Sequence, residues 1–342
     1  MKRAHKKVQK VEIRNENLSN IAIDVKGFSK MYRGNNNYAV RNASFQVKKG
    51  EFHGFIGANG AGKTTTIKSL IGAYANFSGK ITIFGQKHTS LSAKKRMGYI
   101  PEMATFPKTL NTLQYITQMA HLAGISLKES KKYAIDALSD IGLSAIMRRK
   151  PSTFSSGQKK KVLLAQALVN KPDVIIMDEP AANLDPQARS EFFHTLKALQ
   201  KREVAIFISS HILSELDQFI DSVTIIDGGS IVYSGTKANL TQGDNLSFVV
   251  VPESPKDNIK LEKIAKLLKL ETKTVTNGEG IIIDVKNDIQ QWTIMKNIIK
   301  EKIKLKKFAS NVMTLQESYD FYVKKGSVDT QPKNLNVERG SE

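Results

Sequence analysis

Apolar residues enter this chain in short runs from Ile21 onward, and their spacing predicts strands at Ile21 to Val25, Ala43 to Val47 and Phe52 to Ile56. Gly79 to Phe84 and Gly98 to Ile100 carry the same pattern. Between Thr109 and Met147 the rhythm becomes helical, with Tyr133, Ala137 and Ile141 four apart on one face. Val174 to Met177 is a continuous apolar run, as a parallel strand buried on both faces requires, and Val204 to Ser209 and Val223 to Ile226 are similar. Helices at Ser190 to Gln200 and Leu213 to Phe219 alternate with these strands, which predicts an α/β layer fold.

The character changes near Thr241 to Asp244. Beyond it the pattern gives a strand at Leu246 to Val251, a helix at Asp257 to Leu270 with Ile264, Leu267 and Leu268 inward, and a strand at Thr272 to Thr276. Asn277-Gly278 signals a hairpin into Ile281 to Val285. A helix from Asp288 to about Lys302 follows, with Ile289, Trp292, Met295 and Ile299 at helical spacing and Trp292 read as core, then a strand at Leu305 to Ala309. The order βαββαβ is that of a split, ferredoxin-like unit. Thr314 and Glu317 form a capping box for one more helix through Tyr322.

Composition narrows the picture. A chain of 342 residues exceeds what one core usually supports, so two domains are expected. There is no cysteine, which excludes disulfides and thiolate metal sites. The balance of 52 Lys and Arg against 32 Asp and Glu, a net +20, favours an anionic neighbour: phosphate, nucleic acid or lipid headgroups. Residues 1–20 read as a basic disordered tail with Lys2, Arg3, Lys6, Lys7 and Lys10, and contact of that tail with anionic lipid is a secondary reading. The longest uncharged stretch, Thr109 to Leu127, holds Asn111, Gln114, Gln118 and His121, too polar for a membrane span.

The chemistry centres on Gly57-Ala58-Asn59-Gly60-Ala61-Gly62-Lys63-Thr64-Thr65, which fits the phosphate-loop pattern G-x-x-x-x-G-K-[ST] between a strand and a helix. Glycines let backbone N–H groups close round a phosphate, and the following helix directs its positive end at the same charge. Lys63 is then expected to reach the β- and γ-phosphates of a bound nucleotide, and the Thr64 hydroxyl to hold Mg2+. Asp178-Glu179 ends the Val174 to Met177 run, so two carboxylates stand at the carboxyl end of a buried strand, where α/β folds place ligands. Asp178 is expected to order the metal shell, and Glu179 to take a proton from attacking water.

With these motifs the chain resembles the ATP-binding cassette (ABC) ATPases from about Ile21 to Leu240. Phe154-Ser155-Ser156-Gly157-Gln158 resembles the family signature, Ala182-Asn183-Leu184-Asp185 the D-loop, and His211 after Ser209-Ser210 stands in the place of the switch histidine. Tyr32 matches the aromatic that stacks on adenine, with Tyr38 as a weaker candidate. Glu102, in Gly98-Tyr99-Ile100-Pro101-Glu102, sits where many relatives carry the glutamine that senses nucleotide and relays to the membrane partner, and the resemblance counts it among the catalytic and metal-binding candidates. Three departures stand out: Ser156 for a signature glycine, Asn183 for the usual glycine or serine, and that glutamate.

The resemblance implies an ABC ATPase domain over 21–240, β-rich at its N-terminus, with a helical subdomain at about 103–160. The α+β unit at 245–325 and a polar tail at 326–342 follow. It also implies head-to-tail dimers with a second ABC ATPase subunit, identical or paralogous. In these, Ser155, Gly157 and Gln158 of one cassette meet the ATP on the other's phosphate loop, and Asp185 and His211 complete the site. Integral membrane permease subunits and a place at the cytoplasmic face of the membrane are implied as well. Glu102 and the ending Met313 to Tyr319 resemble exporter subunits. The alternative is a soluble ABC ATPase acting on the ribosome, on nucleic acid or in iron–sulfur assembly. No specific nucleic acid is expected, because the lysines of the C-terminal unit are not interleaved with aromatic platforms.

Overall fold

A computed structural model of the chain describes residues 20–34, 36–103, 105–242, 246–275, 279–285, 287–311 and 313–329. The basic tail, apart from Asn20, and the polar tail from residue 330 lie outside these, as does the Asn277-Gly278 hairpin signal. Two compact units result: residues up to Thr236 with those from Tyr322, and Lys237–Phe321.

The first unit holds two sheets. Strands β1 (Ile21–Met31), β2 (Tyr38–Lys48), β4 (Ser78–Ile83) and β5 (Gln86–Lys87) form an antiparallel sheet in the order β2-β1-β4-β5. The first two run well beyond the predicted spans, because β1 is held on both sides and continues through several register irregularities. The second sheet has the order β10-β9-β3-β8-β7-β6, built from β3 (Phe52–Ile56), β6 (Met97–Ile100), β7 (Val174–Met177), β8 (Ala205–Ser210), β9 (Ser222–Asp227) and β10 (Ser230–Thr236). It is parallel except for β10, which returns antiparallel on β9 and which the sequence pattern did not predict.

Strand β3 is buried along its whole length, as are β7 and β8, which is why these three read as unbroken or nearly unbroken apolar runs. Phe45, Phe55 and Phe207 stack between the two sheets, with His53 among them. The His53 nitrogens bond the hydroxyls of Ser222 at 2.6 Å and Thr224 at 2.9 Å, and burial pushes its pKa down to about 3. The helical stretch resolves into Thr112–Leu122, opened by an Asn111–Gln114 capping box, and Leu127–Asp140. The helix Ser156–Leu168 completes this region. Among the described residues no helix is long and apolar enough to cross a membrane.

In the second unit, β11 (Leu246–Pro252), β12 (Thr272–Thr274), β13 (Ile281–Val285) and β14 (Leu305–Ser310) form an antiparallel sheet in the order β12-β13-β11-β14, the ferredoxin-like arrangement. Helices Asn258–Leu267 and Asp288–Lys300 pack Leu261, Ile264, Ala265, Ile294 and Ile298 into its core. Two sequence expectations fail here. Leu267 is 77% exposed, and Trp292, read as core, is 73% exposed together with Ile289 and Ile299. The second helix carries two apolar stripes, and periodicity alone cannot choose between them. The sheet takes the slimmer one, where β-branched Ile294 and Ile298 pack on Ile281 and Ile283. Thr314 and Glu317 form the predicted capping box, and their helix extends over Leu315–Asp329.

Candidate functional site

Strand order builds the site. Because β8 lies between β3 and β7 and all three run parallel, the phosphate loop leaving β3, the carboxylates leaving β7 and the Ser209-Ser210-His211 end of β8 come together at the carboxyl end of the sheet. They line a cleft of about 470 Å3 formed by Tyr32, Asn59, Gly60, Gly62, Lys63, Thr64, Thr65, Glu102, Glu179 and His211, with Ala39 and Ala182.

The loop's shape depends on two glycines in particular. A Cβ on Gly57 would lie 2.4 Å from the Ile226 carbonyl oxygen, and Gly62 combines φ +110° with the Ala39 oxygen 2.7 Å from where its Cβ would be. The loop thus rests on β9 and β2, and its amides precede the helix Lys63–Leu70. Lys63 is buried; its ammonium donates to the Gly57 and Ala58 carbonyls at 2.8 and 3.2 Å and pairs with Glu179 Oε1 at 3.2 Å.

Asp178 is buried, and Thr64 Oγ1 donates to its Oδ1 at 3.2 Å. Ser209 Oγ donates to the same oxygen at 2.9 Å and accepts the Glu179 amide at 2.9 Å. Glu179 itself has φ +44°, a conformation rare for a residue with a side chain, and its Oε2 lies 2.8 Å from His211 Nδ1. Asn183 likewise has φ +62°, which an asparagine tolerates better than most.

Tyr32 stands at the rim, its hydroxyl 2.9 Å from Thr65 Oγ1 and its ring edge-on to Tyr74. Tyr38 is half exposed and lines none of the cleft. Glu102 is exposed at the mouth. Its backbone is gripped from below by buried Lys160, which donates to the Glu102 carbonyl and, at 3.2 Å, to that of Pro101. Burial pushes the Lys160 ammonium down to about 8, against the pull of the Glu102 and Asp178 carboxylates.

The remaining predicted residues lie elsewhere in the chain. Ser155 caps the helix Ser156–Leu168 in a reciprocal box with Gln158, and Gly157 abuts Ala188, whose Cβ would sit 2.9 Å from an added one. Asp185 caps the helix Pro186–Gln200 by accepting the Ala188 amide at 2.8 Å. None of these four reaches the cleft of its own chain. Ser209 and Lys160 were not expected from the sequence, because their roles depend on which strands and helices are neighbours.

Thr64 and Asp178 present hard oxygens close together, and among the described residues no three or more His, Cys, Asp or Glu side chains are grouped so as to hold a metal ion by themselves. Such a sparse set suits a magnesium ion, which keeps several waters and takes phosphate oxygens.

Comparison with known proteins agrees with this geometry. Residues 40–182 match the ABC transporter family. A Mycoplasma pneumoniae protein assigned by name to the ABC transporter ATP-binding proteins is 44% identical over 233 residues, 67% of this chain and 71% of that one. A linearmycin resistance ATP-binding protein of Bacillus subtilis is 37% identical over 205 residues, 59% of this chain and 65% of that one. Among solved structures, an ATP-binding subunit of an ABC transporter superposes with a TM-score of 0.58 at 29% identity, covering 65% of this chain and 92% of that one. The chain is therefore a member of the ABC transporter ATP-binding proteins, the ATPases that hydrolyse ATP to drive transport.

Proposed function

We propose that the cleft hydrolyses MgATP by the residues that line it, and that the chain drives export through separate membrane subunits at the cytoplasmic face. The observation that carries this is the contact of Glu179 with both Lys63 and His211. A γ-phosphate arriving over the loop competes with Glu179 for the Lys63 ammonium. The carboxylate is then released from its cation, with His211 still holding its other oxygen. In that position it accepts a proton from water as the water oxygen bonds to the γ-phosphorus, while the bond to the bridging oxygen breaks and ADP leaves with the electron pair. Thr64 and Asp178 are the residues that would hold magnesium, which when bound neutralises phosphate charge. Tyr32 offers its ring to the adenine. Ser155, Gly157 and Gln158 serve a second cassette, since they stand at a helix N-terminus whose uncapped amides suit an anion supplied from outside the chain, and Asp185, whose carboxylate already caps its own helix, is assigned to the same contact between cassettes.

Export is supported by the relative named for linearmycin resistance. The test of the chemistry is Glu179→Gln, which keeps the shape and the contact to His211 but removes the base. Turnover is expected to fall about 10²- to 10⁴-fold with ATP still bound and the cassette dimer accumulating. Wild-type turnover in that variant would reassign the base. The membrane assignment is checked by fractionation: the chain should stay with membranes in high salt and leave them in mild detergent with a polytopic protein, not with ribosomes.

A further inference from the structure

The helix Asp288–Lys300 turns a second apolar stripe away from the core of its unit, and that stripe has an internal symmetry. At 3.6 residues per turn, Asp288, Ile289, Trp292, Lys296, Ile299 and Lys300 fall within about a third of the circumference, opposite buried Ile294 and Ile298. Ile289, Trp292 and Ile299 are 75%, 73% and 73% exposed. A two-fold axis perpendicular to the helix and passing beside it at the level of residue 294 brings position 288 of one copy level with 300 of the other, 289 with 299 and 292 with 296. Every one of those pairings is chemically complementary: carboxylate with ammonium, isoleucine with isoleucine, indole with ammonium.

We propose that this face is an isologous contact between two copies of the chain, in which the helices pack antiparallel. Asp288 then meets Lys300 of the second copy, Ile289 meets its Ile299, and the Trp292 ring meets its Lys296. In a two-fold contact each pairing occurs twice, so one helix face supplies four charged or cation–π contacts and two apolar ones. An anionic lipid surface would use Trp292 and the two lysines, yet it would be repelled by Asp288 and gives no reason for the reciprocal spacing. The contact is small, one helix of about 20 Å on another, so it acts by raising the effective concentration of cassettes already tethered to a common partner. It goes beyond the cassette dimer, because it needs no nucleotide and commits the second subunit to an identical copy.

The experiment uses the full-length chain without nucleotide, in sedimentation velocity over a concentration series. Emission of Trp292, the single tryptophan, is followed in parallel. Wild type should dimerise as concentration rises, with a blue shift. Asp288→Lys places like charges at both 288–300 contacts, and Lys300→Asp does the same with the opposite sign. Each variant alone should self-associate about tenfold or more weakly. An equimolar mixture of the two restores both opposite-charge contacts and should recover the wild-type dimer. Unchanged unfolding midpoints and ATP turnover of the separate variants show that neither has lost its fold. The proposal is overturned if wild type stays monomeric, if either single variant dimerises like wild type, or if the mixture fails to recover. It is also overturned if the shift appears only with phosphatidylglycerol vesicles and not with protein concentration, which would make the face a lipid-binding one. Failure here leaves the hydrolysis reading untouched, since ATP-dependent dimerisation of Glu179→Gln is measured separately.

Discussion

Ser209→Ala removes one buried hydroxyl that touches both carboxylate residues at once. Its oxygen accepts the Glu179 amide at 2.9 Å and its proton goes to Asp178 Oδ1 at 2.9 Å, in a position with no solvent exposure. Alanine leaves the Glu179 N–H without its partner, at roughly 1–3 kcal/mol for a buried unsatisfied donor, and takes a donor from a buried carboxylate at roughly 1.5–3 kcal/mol. The two losses share one atom and are not additive, so about 3 kcal/mol of stability is the expected total. The amide bond also helps hold Glu179 at φ +44°. If about half of that energy is lost from the orientation of the base, the barrier rises by roughly 1.4 kcal/mol and kcat falls about tenfold. Urea unfolding of the variant gives the first quantity, and steady-state ATPase kinetics the second. KM should change less, because Lys63 and the loop amides are untouched. A variant that loses stability but keeps wild-type kcat would show that the hydroxyl is structural only, and one that changes neither would refute the argument altogether.

Two further outcomes concern the phosphate loop and the buried histidine. Gly57→Ala drives a methyl toward the Ile226 carbonyl oxygen at 2.4 Å, whereas Gly60→Ala meets no atom within 4 Å and strains only a backbone at φ +83°. The first should weaken ATP binding at least tenfold and the second by much less, which titration calorimetry with ATP would check; the reverse order would mean that β9 does not shape the loop. His53 makes a separate prediction about acid. Its pKa is near 3 in the folded chain against 6.5 for the free side chain, so the unfolded chain binds the extra proton between those values. The stability contribution is complete above about pH 6.5 and is lost as pH falls toward 3, by about 2 kcal/mol at pH 5. Comparing urea midpoints at pH 7.5 and pH 5 for wild type and His53→Gln tests this. An equal acid loss in the two proteins would place the titrating group elsewhere.

What the sequence discloses here is what a single segment can encode. The phosphate loop, the Asp178-Glu179 pair and the apolar runs of β3 and β7 each declare themselves within ten residues, since loop shape, charge and burial on both faces are local demands. The ferredoxin-like order also follows from element succession, because few connections satisfy it. Relations between segments are not encoded in this way. That β8 lies between β3 and β7 is a fact of topology, and it alone makes Ser209 a partner of both carboxylate residues. Lys160 reads as one of three lysines in a basic helix start, yet it is the one turned under the Glu102 backbone, where burial and two carbonyls replace water. Trp292 was misplaced for the complementary reason. A helix with apolar residues on two stripes satisfies the 3.6-residue period on either, and only packing against the sheet, which takes in Ile294 and Ile298, decides which stripe goes in. The stripe left outside keeps its periodicity, and its two-fold self-complementarity is the property expected of a surface whose partner is a second copy of itself.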